Sequence, residues 1–177
     1  MKRSPLLLAA LGLSLLLAGC GARSIGNKID DQFIPGRVAS EIRSSHADLN
    51  DTTSHVVVTS YNGVVLLAGQ TPRADLKALA EQAARRAPGV KLVHNHLQVL
   101  PPSSPLARST DAALTTQIKT AMLADNTVPS TKIKVVTENG MVYLLGLVTR
   151  AEANRATAVV QGVGGVQGIV RLFEYVD

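Results

Sequence analysis

"YNGVVLLAGQTPRAD", residues 61–75, returns 77 positions later as "ENGMVYLLGLVTRAE", residues 138–152, with seven of fifteen positions identical. In both copies an Asn-Gly pair, Asn62-Gly63 and Asn139-Gly140, separates two apolar-rich runs. That dipeptide suits a two-residue hairpin turn, because both central residues need positive φ. In the second copy residues 133–138 run in and residues 141–147 run back. In the first, Val56 and Val58 share a face with Val65 and Leu67 across the turn. Gly69 and Gly146 read as the points where strand gives way to loop. Thr149 with Glu152 three residues later is a capping box, and Ala153, Ala156 and Val160 behind it share one helical face. Leu76, Leu79, Ala80 and Ala83 form the matching stripe in the first copy.

Outward from the hairpins, each copy gains a helix before and a strand after. Ahead of the second hairpin, Asp111 reads as an N-cap, with Leu114, Ile118 and Ala121 at helical spacing and Met122 beside them. Ahead of the first, Ile34, Val38 and Ile42 have that spacing, interrupted by Pro35 and Gly36; Pro35 either starts the helix or kinks it. The closing strands alternate through Val93, Asn95, Leu97 and Val99, and through Ile169, Arg171, Phe173 and Tyr175. The fold class is therefore α+β, two small units of helix, strand, strand, helix, strand.

The other hairpin face carries Val64, Leu66 and Ala68 in one copy and Met141, Tyr143 and Leu145 in the other. Helices covering one sheet face would leave these six uncovered, and contiguous apolar patches mark contacts. The two units are expected to dock through at least one of these faces. Between the copies, "LPPSSPLARST", residues 100–110, cannot continue a helix or a central strand and reads as an extended linker. The expected layout is a leader at 1–19, a tether at 20–30, one domain at 31–100, a linker at 101–109 and a second domain at 110–177.

The leader is the most specific signal. Lys2 and Arg3 precede an apolar run from Leu6 to Leu17, which "LAGC" closes at Cys20. The run is shorter than the roughly 20 residues that span a bilayer. "LAGC" resembles the bacterial lipobox, which implies cleavage before Cys20 and acylation of its sulfur and new N-terminus. Cys20 is the single Cys of the 177 residues, so no disulfide framework is possible. Gly21 follows, not the Asp that marks inner-membrane retention in such lipoproteins, and the expected address is the periplasmic leaflet of the outer membrane. Of 18 basic residues the leader holds Lys2 and Arg3, leaving 16 against 13 acidic. A balance that small decides nothing between membrane attraction and ordinary solubility.

Chemistry is sparse. Aromatics make up 3% with no Trp, which argues against a deep pocket or a base-stacking surface and hence against an enzyme or a nucleic-acid reader. "GVGGVQG", residues 162–168, misses the register of a dinucleotide loop and leads from helix to strand, the reverse of what a phosphate site needs. His94 and His96 share one strand face, but no Cys or carboxylate pattern completes a metal site, and both are expected to face solvent. No cofactor, metal or catalytic residue is assigned.

The hairpin-and-corner pattern, "NGVVLLAG" with "PGVKLVHNHLQV" and "NGMVYLLG" with "GGVQGIVRLFEYV", resembles the BON domain, and the two copies plus lipobox resemble dual-BON outer-membrane lipoproteins. The resemblance implies a small mixed three-stranded sheet packed by two helices in each domain, no catalysis, contact with anionic phospholipid, and a part in envelope integrity at the division site or under stress. It places lipid contact on the first helix of the second domain, here residues 111–124. Ala113, Thr116, Gln117 and Thr120 lie away from the core stripe, with Lys119 at the side. Lys132 and Lys134 are further candidates for headgroup phosphates. The alternative reading is a periplasmic protein-binding module that recruits an envelope enzyme or assembly factor; a chaperone is a third.

Overall fold

The computed structural model describes residues 25–177, with side chains from residue 31 onward. The expected leader and Cys20 lie outside the described residues. The first unit runs α1 (Ile25–Ser45), a 3-10 turn (Ala47–Leu49), β1 (His55–Tyr61), β2 (Val64–Thr71), α2 (Ala74–Arg86), β3 (Leu92–Asn95) and β4 (Gln98–Val99). The second repeats the order with α3 (Pro105–Ala124), a 3-10 turn (Ser130–Lys132), β5 (Ile133–Glu138), β6 (Met141–Val148), α4 (Arg150–Gln161) and β7 (Gly168–Tyr175). In each sheet the hairpin is antiparallel and the last strand joins the second hairpin strand in parallel, with a helix as the crossover. The α+β expectation, with a small mixed sheet and two helices per unit, is what the chain adopts.

Each unit buries its own apolar stripe. Ile34, Val38, Ile42, Leu76, Ala80 and Ala83 close over Val65, Leu67 and Val93. Leu114, Ile118, Met122, Ala153, Ala156 and Val160 close over Val142 and Leu144. Met122 takes the buried position and Ala121 is half-buried at its side. Pro35 neither starts nor ends α1: the helix runs through it, with Ile34 and Val38 on either side fully buried. The predicted capping box on Thr149 and Glu152 forms in full.

Both Asn-Gly turns have positive φ at all four residues, 54° and 80° for Asn62 and Gly63, 49° and 70° for Asn139 and Gly140. Gly69 and Gly146 were expected to mark strand ends but instead lie inside β2 and β6. A Cβ on Gly69 would overlap the carbonyl oxygen of His55, and one on Gly146 would lie 2.6 Å from that of Lys132. The repeated glycine is demanded by how closely the neighbouring strand's start passes it.

Several expected boundaries move. Residues 25–30 of the expected tether belong to α1. Residues 105–109 of the expected linker belong to α3, which Ser104 caps by accepting from the Ala107 amide, with Pro105 at the first helical position. Asp111 is therefore not an N-cap. It is buried in the second turn of α3, and its carboxylate accepts the amides of Asn139 (2.8 Å) and Gly140 (2.9 Å). Asp31 does the same on α1, accepting from the Asn62 and Gly63 amides and from the Ser60 hydroxyl. Each first helix thus pins the hairpin turn of its own unit. The first unit's closing strand, expected as one run from Val93 to Val99, is split into β3 and β4 by His96 and Leu97, although Leu97 still reaches the core.

The two sheets dock face to face. Tyr61, Leu66 and Ala68 meet Tyr143 and Leu145 in a third buried cluster, with Met141, Val136, Val170 and Leu172 packed against it. The expected docking through the outer hairpin faces is thus realised. The remaining linker is short and held, since Leu100 donates to Thr71 and Ser103 to the Gln70 side chain.

Candidate functional site

Helix α3 is the element on which the candidate residues sit, and its buried stripe fixes which way they point. With Asp111, Leu114, Ile118 and Met122 packed inward, Ala113, Thr116, Gln117, Lys119 and Thr120 are all exposed on the outer face. The earlier helix start adds a residue the sequence reading missed. Leu106, in the first turn, is 78% exposed, and Leu123, in the last, is 66% exposed. The spacing of Leu106, Ala113, Gln117 and Thr120 puts them along one row, with Thr116 and Leu123 on the adjacent row. The signal that would have found Leu106 is the Ser104-Pro105 pair, a cap followed by the proline that opens a helix.

This face is less polar than its composition. Thr110 donates to the Leu106 carbonyl, Thr116 to that of Ala112 and Thr120 to that of Thr116, at 2.9 to 3.1 Å. The hydroxyl protons are therefore spent inside the helix, so these three threonines keep no free donor on a face that also carries Gln117 and has a leucine near each end. Beside the same helix, a shallow depression of about 590 Å³ lies against the Asn139-Gly140 turn, lined by Ala107, Thr110, Ala113, Gln117 and Gln167 among others. Its one carboxylate, Asp111, is already engaged by the turn amides.

Of the three lysines read as headgroup contacts, only Lys119 remains on this face. Lys132 pairs with Glu152 at 3.1 Å, and Lys134 donates to the Ser60 carbonyl of the first unit at 2.9 Å. The Glu152 carboxyl is held below the usual range, first by the Thr149 amide and then by Lys132.

The seam between the units carries the polar residues left over. Asn62 donates to Glu174 at 3.1 Å, and Asn139 donates to Gln98 at 3.2 Å. Gln98 pairs with Gln70 and Glu174 with Leu147, each one residue beyond the repeated glycine. So each turn asparagine reaches the equivalent position on the other unit's last strand, and the docking is pseudo-two-fold in these contacts. At the seam's edge Arg108 donates to Nδ1 of His55 (3.3 Å), which leaves Nε2–H directed at Glu138 (3.3 Å).

Contrary to the expectation that they face solvent, His94 and His96 are both half-buried, with the His96 ring at this seam 5.2 Å from that of Tyr143. Their strand's outer face is covered by the second unit. Burial pushes both imidazoles below the usual histidine value, with His94 and Lys77 adding to the effect at His96. Burial, followed by the Glu138 charge, pushes the Tyr143 phenol up. Among the described residues no three His, Cys, Asp or Glu side chains gather as a metal site.

The BON domain profile matches residues 30–101 and again 110–177, together most of the chain. The chain belongs to the BON-domain family. Its two BON domains lie in a sequence 36% identical to the outer membrane lipoprotein DolP of Haemophilus influenzae, with the whole of both chains covered. It is similar also to the 21 kDa hemolysin of Actinobacillus pleuropneumoniae, at 36% identity over 88% of this chain and 79% of that one. To the osmotically-inducible protein Y of Escherichia coli it is 32% identical, covering 82% of this chain and 72% of that one. The two BON domains of this chain are thus the two docked units, and α3 is the first helix of the second.

Proposed function

We propose that this chain is a non-catalytic outer-membrane lipoprotein, acylated at Cys20 on the periplasmic leaflet, that lays the outer face of α3 on anionic phospholipid and helps to maintain the envelope, particularly at the division site or under stress. The similarity to an outer membrane lipoprotein over its whole length supports the address. The observation that carries lipid contact is the face of α3 itself, with Leu106 and Leu123 exposed at its ends and the hydroxyls of Thr110, Thr116 and Thr120 bonded within the helix.

The energetics favour such a face at a headgroup boundary. An unpartnered hydroxyl taken out of water costs about 1–3 kcal/mol, and internal bonding largely removes that penalty for the three threonines. A leucine fully withdrawn from water contributes roughly 1.5–3 kcal/mol, so two that are partly inserted contribute about that much together. Lys119 adds about 1 kcal/mol at an anionic surface. Such a sum is weak in free solution, but acyl chains confine the protein to the surface, where a high effective concentration makes weak contacts suffice. Among the described residues no helix is long and apolar enough to cross a membrane.

The test is co-sedimentation of residues 21–177, which carry neither the apolar run nor Cys20, with vesicles of anionic or zwitterionic lipid. Salt-sensitive binding to the anionic vesicles, lost in Leu106→Glu/Leu123→Glu and weakened in Lys119→Glu, is the expected outcome. Binding that ignores all three substitutions would remove α3 from the reading.

A further inference from the structure

The two turn-pinning aspartates give a residue-by-residue correspondence between the first helices that sequence alignment of the hairpins does not. Asp31 of α1 and Asp111 of α3 hold equivalent turns, so Phe33 occupies in the first domain the place that Ala113 occupies in the second. Phe33 is 56% exposed, more than any other described aromatic. Arg37, one turn further along α1, is also exposed. The same end of the domain carries Lys91, whose side chain lies against Gly63 of the turn that Asp31 holds. Neither Arg37 nor Lys91 forms an ion pair with an acidic side chain among the described residues. An uncovered aromatic with an unpaired cation one turn along the same helix face, and a second at the same end of the domain, suits an interface of apolar chains and anionic headgroups.

Chain length supplies the second argument. Cys20 precedes the start of α1 by five residues. Fully extended, they reach about 18 Å. Phe33 lies eight residues further along the helix, a rise of about 12 Å. An acyl chain on Cys20 therefore keeps Phe33 within roughly 30 Å of the bilayer surface whatever the orientation of the rest. Resting on the reading that Cys20 is acylated, we infer that α1 lies along the lipid surface with Phe33 inserted at the headgroup boundary and Arg37 and Lys91 against anionic phosphate. The first domain then orients the docked pair. The second presents α3 in whatever way that orientation allows.

The chain contains no Trp, so Phe33→Trp and Ala113→Trp are each single-fluorophore reporters at exposed, equivalent positions. Each is made in the full acylated protein and reconstituted into anionic vesicles with and without bromine-labelled acyl chains. The expected result is a blue-shifted emission for Phe33→Trp that the brominated lipid quenches, with the quenching reduced when Arg37→Glu is added. Quenching at both positions also supports the inference and extends contact to α3. Quenching at Ala113→Trp alone overturns it while leaving α3 on the lipid. Solvent-like, unquenched emission at both overturns it and the α3 reading together.

Discussion

Replacing Asp111 by Ala removes the acceptor for two backbone amides at the second hairpin turn, Asn139 at 2.8 Å and Gly140 at 2.9 Å. Hydrogen bonds to a charged group contribute about 1.5–3 kcal/mol each, which bounds the loss near 3–6 kcal/mol. The turn is only half-buried, so water recovers part of it. The expected cost is about 2–4 kcal/mol, or a fall in Tm of roughly 5–15 °C for a body of this size. Asp31→Ala should cost more. It orphans the Asn62 and Gly63 amides and also the hydroxyl of Ser60, which is fully buried. Asp111→Asn keeps one acceptor oxygen and should recover about half of the loss. Urea unfolding measures the three variants through the shift in midpoint at constant slope, and amide exchange at Asn139 and Gly140 localises the effect. A loss below about 1 kcal/mol in Asp111→Ala, or Asp31→Ala proving milder than Asp111→Ala, would refute the pinning argument.

Gly146→Ala places a Cβ 2.6 Å from the Lys132 carbonyl oxygen, which cannot give way without moving the strand's start. Thermal unfolding should show a loss of about 1–3 kcal/mol, whereas Gly36→Ala, in a helix with nothing near the new methyl, should gain about 0.5–1 kcal/mol. Leu145→Asp puts a carboxylate into the fully buried seam, and 15N relaxation should then report two domains tumbling with separate correlation times; a single shared time would contradict the account of docking. His94 and His96 have folded-state values below the ordinary histidine value of 6.5, so the unfolded chain binds more protons and stability is complete above about pH 6.5, falling as pH drops toward the lowered folded values. Unfolding midpoints measured across pH 4–8 should flatten in His94→Gln/His96→Gln in that window, and an unchanged profile would show that the seam does not shield these rings.

What could be read from the chain was whatever is local. The Asn-Gly turns need positive φ within two residues, and the capping box closes within four, so both were legible without any tertiary knowledge. The uncovered hairpin faces were legible too, because strand alternation assigns every side chain to a face before the partner is known. Asp111 was misread for the complementary reason. Its acidic side chain at a helix-like start fits the cap pattern, and its actual partners lie 28 and 29 residues away. The prolines of residues 100–105 likewise read as a linker because proline breaks most elements, yet Pro105 follows a capping serine and opens α3. Leu106 moved from linker to helix with that boundary.

The seam explains why the same small unit occurs twice in one chain. A single BON domain of this sequence would expose either Leu66 and Ala68 or Tyr143 and Leu145 on a sheet face that neither of its own helices covers. Docking buries both at once, and the reciprocal bonds from Asn62 to Glu174 and from Asn139 to Gln98 set the register of one sheet on the other. The cost of that arrangement is that the sheets are no longer available to a partner. Each domain then meets anything else chiefly through its helices and turns. In the second domain that surface includes α3, with its internally bonded threonines between two exposed leucines, and in the first it includes α1, whose start lies five residues from Cys20. If Leu145→Asp separates the domains, α1 and α3 should still reach lipid individually but lose their fixed relation. Vesicle binding of the acylated protein should then survive, while the distance between labels on Phe33 and Ala113, read by pulsed electron resonance, broadens. An unbroadened distance would mean that something other than the sheet faces holds the pair together.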